Sequence, residues 1–245
     1  MKAILLTRYG PPDVLQLKEV EQPTPQDNQV LVRVHAASVN ALDWRRFTMP
    51  PILARLMEGG LRKPRNPRLG ADVAETVAAV GSQVTEFKPG DEVFGVAPGS
   101  FAEYACNGAS KFVLKPANIS FEAAAAVPVA ALTALQGLRD KGRIQPGQKV
   151  LIDGASGGVG TFAVQIARSY GAEVTAVCST RNLDMMRSIG ADHVIDYTQE
   201  DFTKTGQRYD LILVVNGSHP ILDYGRALGA KGICVVAGGP LSQVF

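Results

Sequence analysis

Seven residues, GASGGVG at 154–160, hold four glycines between an apolar run, KVLID, and a run with helical spacing, TFAVQIARSY. Glycine loses more conformational freedom on folding than any other residue, so this density needs a local reason. Either the backbone bends where a Cβ would clash, or it lies close against something bound. The turn follows a predicted strand and opens a predicted helix, the context in which a glycine pattern of this kind binds a dinucleotide. Ala155 takes the place of the first glycine of that pattern, and Gly154 precedes it. Gly157 would let the backbone approach a pyrophosphate, and Gly160 would let the helix pack closely on the strand. The first N–H groups of a helix have no intrahelical acceptor, and its dipole favours an anion there. Ser156, Gly157, Gly158, Val159 and Gly160 are therefore the candidate phosphate-binding residues. A tight strand–helix turn with no ligand is the alternative.

The end of the next predicted strand bears on which dinucleotide is bound. An acidic residue about 20 positions after the turn bonds the ribose 2′-hydroxyl of NAD. Here the strand ends VCSTRN, with Ser179, Thr180 and Arg181 and no acid. Two hydroxyls and a guanidinium suit a 2′-phosphate, which arginine binds through paired donors. These residues point to NADPH. A solvated Arg181 in a helix start capped by Asn182 is the competing reading.

The elements that must position these residues fall into two halves. Residues 1–120 carry short β-branched runs, MKAILLT, QVLVRVHAASV, ADVAETVAAV and DEVFGV, separated by Pro, Gly, Asp and Asn. This is the pattern of a β-rich domain. Residues 121–245 alternate strands (KVLID, EVTAVC, HVIDY, YDLILVV, GICVVAG) with helices (GTFAVQIARSY, NLDMMRSIG, HPILDYGRALG), which predicts a doubly wound parallel sheet. A net charge of +2 gives no electrostatic case for a nucleic-acid partner. The window FEAAAAVPVAALTALQGL is interrupted by Glu122, Pro128, Thr133 and Gln136, so it is not expected to span a membrane. Cys106, Cys178 and Cys234 lie far apart and read as reduced core residues of a cytoplasmic protein.

YGPPDVLQLKE, VHAASVNALDWR, GDEVFG, GSFAEY, LKPANISFEAAAAVPVAALTALQGL and VLIDGASGGVGTFAVQIA, in this order, resemble the quinone oxidoreductase branch of the medium-chain dehydrogenase/reductase superfamily. The resemblance covers essentially the whole chain. It implies a GroES-like domain, then a Rossmann domain, and hydride transfer from NADPH to quinones or α,β-unsaturated carbonyls. It also implies roles for single residues. Asn40 falls where the family places a residue beside the nicotinamide, to position its ribose or to donate to the substrate oxygen, and Thr133 where a threonine faces the cofactor. Tyr197 matches a tyrosine lying against the adenosine phosphate, and Asn216 a turn on the nicotinamide side. Asp43 is a candidate for organising a proton path, with a capping or solvated acid as the alternative.

The resemblance also bears on metal chemistry. A catalytic zinc needs three protein ligands. The related alcohol dehydrogenases have Cys where Asn40 stands and His–Glu where Ala71–Asp72 stand, so no metal is expected. His35, His193 and His219 read as structural or solvated. Without a Lewis acid, conjugated acceptors become the favoured substrates, because their charge delocalises. An enoyl-thioester reductase and a catalytically silent dinucleotide-binding protein are the alternatives. Two departures stand out. Glu75 occupies a position where the family carries glycine, and the chain stops at Phe245, after the fifth predicted strand. Family members continue with a sixth strand, a helix and a returning strand. The chain is therefore expected to be truncated relative to the pattern, with GICVVAG as an open sheet edge and no family-type homodimer.

Overall fold

The computed structural model describes residues 1–48, 60, 63–217 and 219–238. The chain divides into two compact units, Met1–Val129 and Ala130–Phe245. The change of residue pattern at 121 precedes this division for a packing reason. Helix Phe121–Ala125, capped by the Ser120 hydroxyl accepting from the Ala123 N–H (3.2 Å), buries Ala124 and Ala125 against Ala74 and Phe94 of the first unit.

In the first unit, β1 (Lys2–Leu6) and β2 (Leu15–Glu19) form an antiparallel pair. Five further strands form one antiparallel sheet: β3 (Gln29–Ala36), β4 (Asp72–Val80), β5 (Glu92–Val96), β6 (Tyr104–Gly108) and β7 (Phe112–Leu114), ordered β6-β3-β4-β5-β7. A helix, Ala41–Thr48, follows β3. Central β4 is covered on both faces. Val73 and Val77 join Val30, Val32, Val93 and Phe112 on one side, while Ala74 packs beneath the 121–125 helix on the other.

Strand alternation then puts Glu75 on the same face as Val73 and Val77. Its cross-strand neighbours are Val34 and Val93. The side chain is fully buried, and neither carboxyl oxygen has a hydrogen-bond partner. Burial alone pushes its pKa up to about 9, so the group sits in the sheet as a neutral acid.

The second unit is a parallel sheet of β8 (Lys149–Asp153), β9 (Glu173–Cys178), β10 (His193–Asp196), β11 (Tyr209–Val214) and β12 (Leu228–Val236). The order is β10-β9-β8-β11-β12, the doubly wound arrangement expected from the alternation. Val150, Ile152, Val174, Ala176, Leu211 and Leu213 face one core; Leu151, Val177, Ile195, Ile212 and Val214 face the other. Both faces are thus dry, which is why these strands read as continuous apolar runs. The crossover helices are Gly158–Ser169 and Leu183–Ser188 on one side of the chain order, and Ile221–Ala227 before β12. β12 begins four residues before the GICVVAG run: Leu228, expected in the helix, is extended and pairs with Tyr209. Its side chain packs against the Tyr209 and Tyr224 core, which draws the chain out of the helix there. Pro128 splits the apolar 121–138 window into two short helices. Among the described residues no helix is long and apolar enough to cross a membrane.

A carboxyl whose folded pKa is raised binds its proton more tightly when folded, so stability falls as pH rises from the ordinary value of 4.5 towards about 9. Asp72 and Asp153 are also raised and act with the same sign. Subtracting the Glu75→Gln curve isolates the contribution of Glu75. The expected difference is a loss of up to about 1.4 kcal/mol per pH unit across that window. Chemical denaturation at a series of pH values is the measurement. Parallel curves for the two proteins would show that Glu75 does not titrate in this range.

Candidate functional site

The C-terminal ends of the parallel strands converge on a cavity of about 590 Å³. Its walls come from the ends of four strands and the segments following them: Asp153, Gly154, Ser156 and Gly157; Val177, Cys178, Arg181 and Asn182; Tyr197; and Val215, Asn216 and His219. The strand order reverses direction at β8, between β9 and β11, and a crevice opens at such a switch point.

The four glycines divide into two kinds. Gly154 has φ +83°, and a Cβ on it would lie 2.9 Å from the Asn216 backbone nitrogen. At Gly160 a Cβ would come within 2.3 Å of the Gly154 carbonyl oxygen. Both glycines are therefore required by the fold, one for the bend and one for the close approach of the helix. Gly157 differs: it is the helix N-cap, with φ −81° and ψ 173°, a conformation open to any residue. A Cβ on Gly157 would meet only the Gly154 oxygen, at an ordinary 3.6 Å, and one on Gly158 only the Ala130 Cβ, at 4.0 Å. The backbone at Gly157 thus does not demand glycine. What remains as a reason for its bare Cα is space beside the helix N-terminus, in the wall of the cavity.

Arg181 reaches the same cavity and has neither a carboxylate nor a hydrogen-bond partner among the described residues. The Ser179 hydroxyl accepts from the Asn182 amide at 3.1 Å and keeps its own proton for another acceptor. Thr180 is different: its hydroxyl donates to Asp196, which also accepts from the Thr198 N–H and hydroxyl. These bonds hold the Asp196 carboxyl below the usual range and commit the Thr180 hydroxyl. Of the predicted residues, Ser156, Gly157, Arg181, Tyr197 and Asn216 line the cavity. Gly158, Val159 and Gly160 form the first turn of the helix beside it. Thr133 lies half-buried in helix Pro128–Leu135.

Asn40 and Asp43 belong to the first unit. Asp43 is buried, and both its oxygens are taken by backbone N–H groups, those of Asn40 (2.7 Å) and Gly70 (3.2 Å). That is the bonding of a capping acid. Among the described residues no group of three or more His, Cys, Asp or Glu could hold a metal ion.

Asp153, Val177, Cys178, Asn182, Val215 and His219 were not among the site residues expected from the sequence, yet line the cavity. For the strand residues a signal existed, since each stands at or beside the C-terminal end of a predicted strand. His219 gave none; it is brought in by its contacts with Phe202 and Tyr224 and by the approach of its Nε2 to an Asp201 carboxyl oxygen (3.3 Å). Tyr224 donates to Asp153 at 2.6 Å and so ties the 219–224 segment to the end of β8. Burial raises the pKa of both groups.

Two known domain families match. The alcohol dehydrogenase GroES-like domain covers residues 26–118, and the zinc-binding dehydrogenase domain residues 158–244. The chloroplastic quinone-oxidoreductase homolog of Spinacia oleracea is 39% identical over 229 residues, which is 87% of this chain and 67% of that protein. The 2-methylene-furan-3-one reductase of Solanum lycopersicum is also 39% identical, over 86% of this chain but 56% of its own length. The crystal structure of Escherichia coli quinone oxidoreductase complexed with NADPH superposes with a TM-score of 0.82 at 28% identity, covering 96% of this chain and 72% of that one. The chain thus spans between about half and three-quarters of the relatives it matches.

The two kinds of glycine predict opposite phenotypes. Gly157→Val is expected to leave the circular dichroism spectrum intact while abolishing dinucleotide binding. Gly160→Val is expected to disrupt the fold itself. A folded Gly157→Val protein that binds dinucleotide normally would reduce the turn to a structural one.

Proposed function

Because this chain belongs to the quinone oxidoreductase branch of the medium-chain dehydrogenase/reductase superfamily, we propose that it binds NADPH in the cavity at the C-terminal end of its parallel sheet and reduces quinones or α,β-unsaturated carbonyl compounds. The observation that carries the reading is the pairing, in one cavity, of a bare helix N-cap, Gly157, with an unpartnered guanidinium, Arg181. An anion answers both. The helix start offers N–H donors to a pyrophosphate, while Arg181 and Ser179 take a 2′-phosphate. Among the described residues the acid lining the cavity is Asp153, and it accepts from the Tyr224 hydroxyl at 2.6 Å. NADPH supplies hydride when bound. The chain's own contribution is to hold the dinucleotide by its phosphates, orient it and keep the cavity walls dry.

Zinc plays no part in this reading. Asn40 and Ala71 cannot replace the Cys and His ligands of the zinc-dependent relatives, and Asp72 is already bonded to three donors. Reduced, widely spaced cysteines support a cytoplasmic location, although two similar proteins are named as chloroplastic and mitochondrial.

Turnover of a panel of quinones and enones with NADPH tests the proposal. Oxidation of NADPH, undiminished by chelator and without stoichiometric zinc in the protein, is the expected result. Tight NADPH binding with no acceptor turned over would favour a silent dinucleotide-binding protein instead. Arg181→Ala is expected to weaken NADPH by about 1.5–3 kcal/mol, the range for a hydrogen bond to a charged group, and to leave NADH almost unchanged. Equal losses for the two cofactors would remove Arg181 from the 2′-phosphate site.

A further inference from the structure

The first residues of four parallel strands line a second cavity, of about 510 Å³, at the end of the sheet opposite the cavity of Gly157 and Arg181. They are Lys149 of β8, Glu173 of β9, His193 of β10 and Tyr209 of β11. Two residues further along their strands, on the same face, Thr175 and Ile195 also line it. The cavity is the result of a short crossover. β8 reaches β9, and β9 reaches β10, through α-helices, and such helices cover the faces of a parallel sheet. The connection from β10 to β11, residues 197–208, carries only the three-residue 3-10 turn Phe202–Lys204. Phe202 is drawn into the core with Ile195, Tyr209 and Tyr224, and the strand starts are left to line open space.

Buried hydroxyls and unpaired charges meet there. Thr175 and Tyr209 are only 5% and 4% exposed. Burial pushes the pKa of the Tyr209 phenol up, a hydrogen bond from Thr175 opposes the rise, and the charges of Glu200 and Glu173 add to it. Both carboxylates therefore stand near the phenol. Lys149 and Glu173 are register partners on neighbouring strands, yet Glu173 turns to the other side and meets the His193 ring at 2.9 Å. Among the described residues the Lys149 ammonium is thus left without an ion pair, and so is the Glu200 carboxylate of the overlying connection. Opposite charges that face one cavity and do not meet each other complement a ligand that carries both, and the volume is that of a small-molecule site.

We propose that this cavity binds a compact zwitterion with the chemistry of an α-amino acid. Its ammonium lies between Glu200 and the Tyr209 oxygen, its carboxylate on Lys149, and its side chain over Ile195. An ammonium has three donors to share between a carboxylate and a phenol oxygen, and charge-assisted hydrogen bonds are the stronger kind. The site belongs to the second unit alone and is independent of the proposed reaction.

The test is titration of the 245-residue protein with L-leucine, followed by amide NMR shifts and by calorimetry. Two analogues of leucine carry one charge each: isopentylamine keeps the ammonium, and 4-methylpentanoate keeps the carboxylate. Leucine is expected to shift Thr175, His193 and Tyr209, and to bind about tenfold more tightly than either analogue. Glu200→Gln is expected to weaken leucine and isopentylamine about three- to tenfold and to leave 4-methylpentanoate unchanged. Lys149→Gln is expected to weaken leucine and 4-methylpentanoate by the same factor and to spare isopentylamine. Both side chains are exposed, so neither change should disturb the fold. Glycine and L-phenylalanine, titrated alongside, cover smaller and larger side chains. No binding by any of the three amino acids at about 10 mM, where even a millimolar Kd gives near-saturation, overturns the proposal. It is equally overturned if leucine and its analogues bind alike, or if the shifts fall only around Gly157 and Arg181.

Discussion

The second unit is organised around one close approach, that of the first turn of helix Gly158–Ser169 to the carbonyl of Gly154. A side chain at Gly160 would push the helix away from the end of β8. Without it, the helix axis aims its N-terminal N–H groups and the positive end of its dipole into the crevice where the strand order reverses. Everything else in the cavity is arranged around that point. The ends of β9 and β10 supply Arg181 and Tyr197 on one side, and the end of β11 supplies Asn216 and His219 on the other. The Tyr224–Asp153 hydrogen bond keeps the second side anchored to the strand that leads into the turn.

Three carboxyl groups are buried in β-strands, and they show how context sets the effect of the same chemistry. Asp72 has three donors, Asp153 has one strong one from Tyr224, and Glu75 has none. A buried carboxyl with donors can be a fixed point, because every bond it accepts also orients the donor. Glu75 orients nothing and carries the full desolvation penalty of its charged form. It stands beside Val34 and Val93, with Val73 and Val77 on either side along the strand. Its presence is a cost to the sheet that these hydrogen bonds do not offset.

Much of this was legible in the sequence, and unevenly so. Parallel strands buried on both faces must be apolar throughout, so KVLID, EVTAVC and YDLILVV announced themselves. Short strands such as β2 and β7 did not, since three to five residues with exposed side chains carry little periodic signal. At the site, the types and spacing of Gly157 and Arg181 were enough to select them. Which glycine serves the fold and which leaves room beside the cavity depends on where a Cβ would land, and spacing does not contain that. Likewise Thr180 looked equivalent to Ser179 until Asp196, from the neighbouring strand, took its hydroxyl.

The proposed reaction has to stabilise charge without a Lewis acid. A reductase without a Lewis acid must stabilise developing negative charge either with hydrogen-bond donors or through the acceptor's own conjugation. In the first unit, both amide N–H groups of Asn40 are committed to Ser38 and Asp72. Asp43 is removed as a proton carrier, because its two oxygens hold the backbone of Asn40 and Gly70 in place. On the proposed reading, the burden then shifts to the substrate. A quinone or an enone spreads the incoming charge over its own π-system, whereas a simple aldehyde has no such recourse.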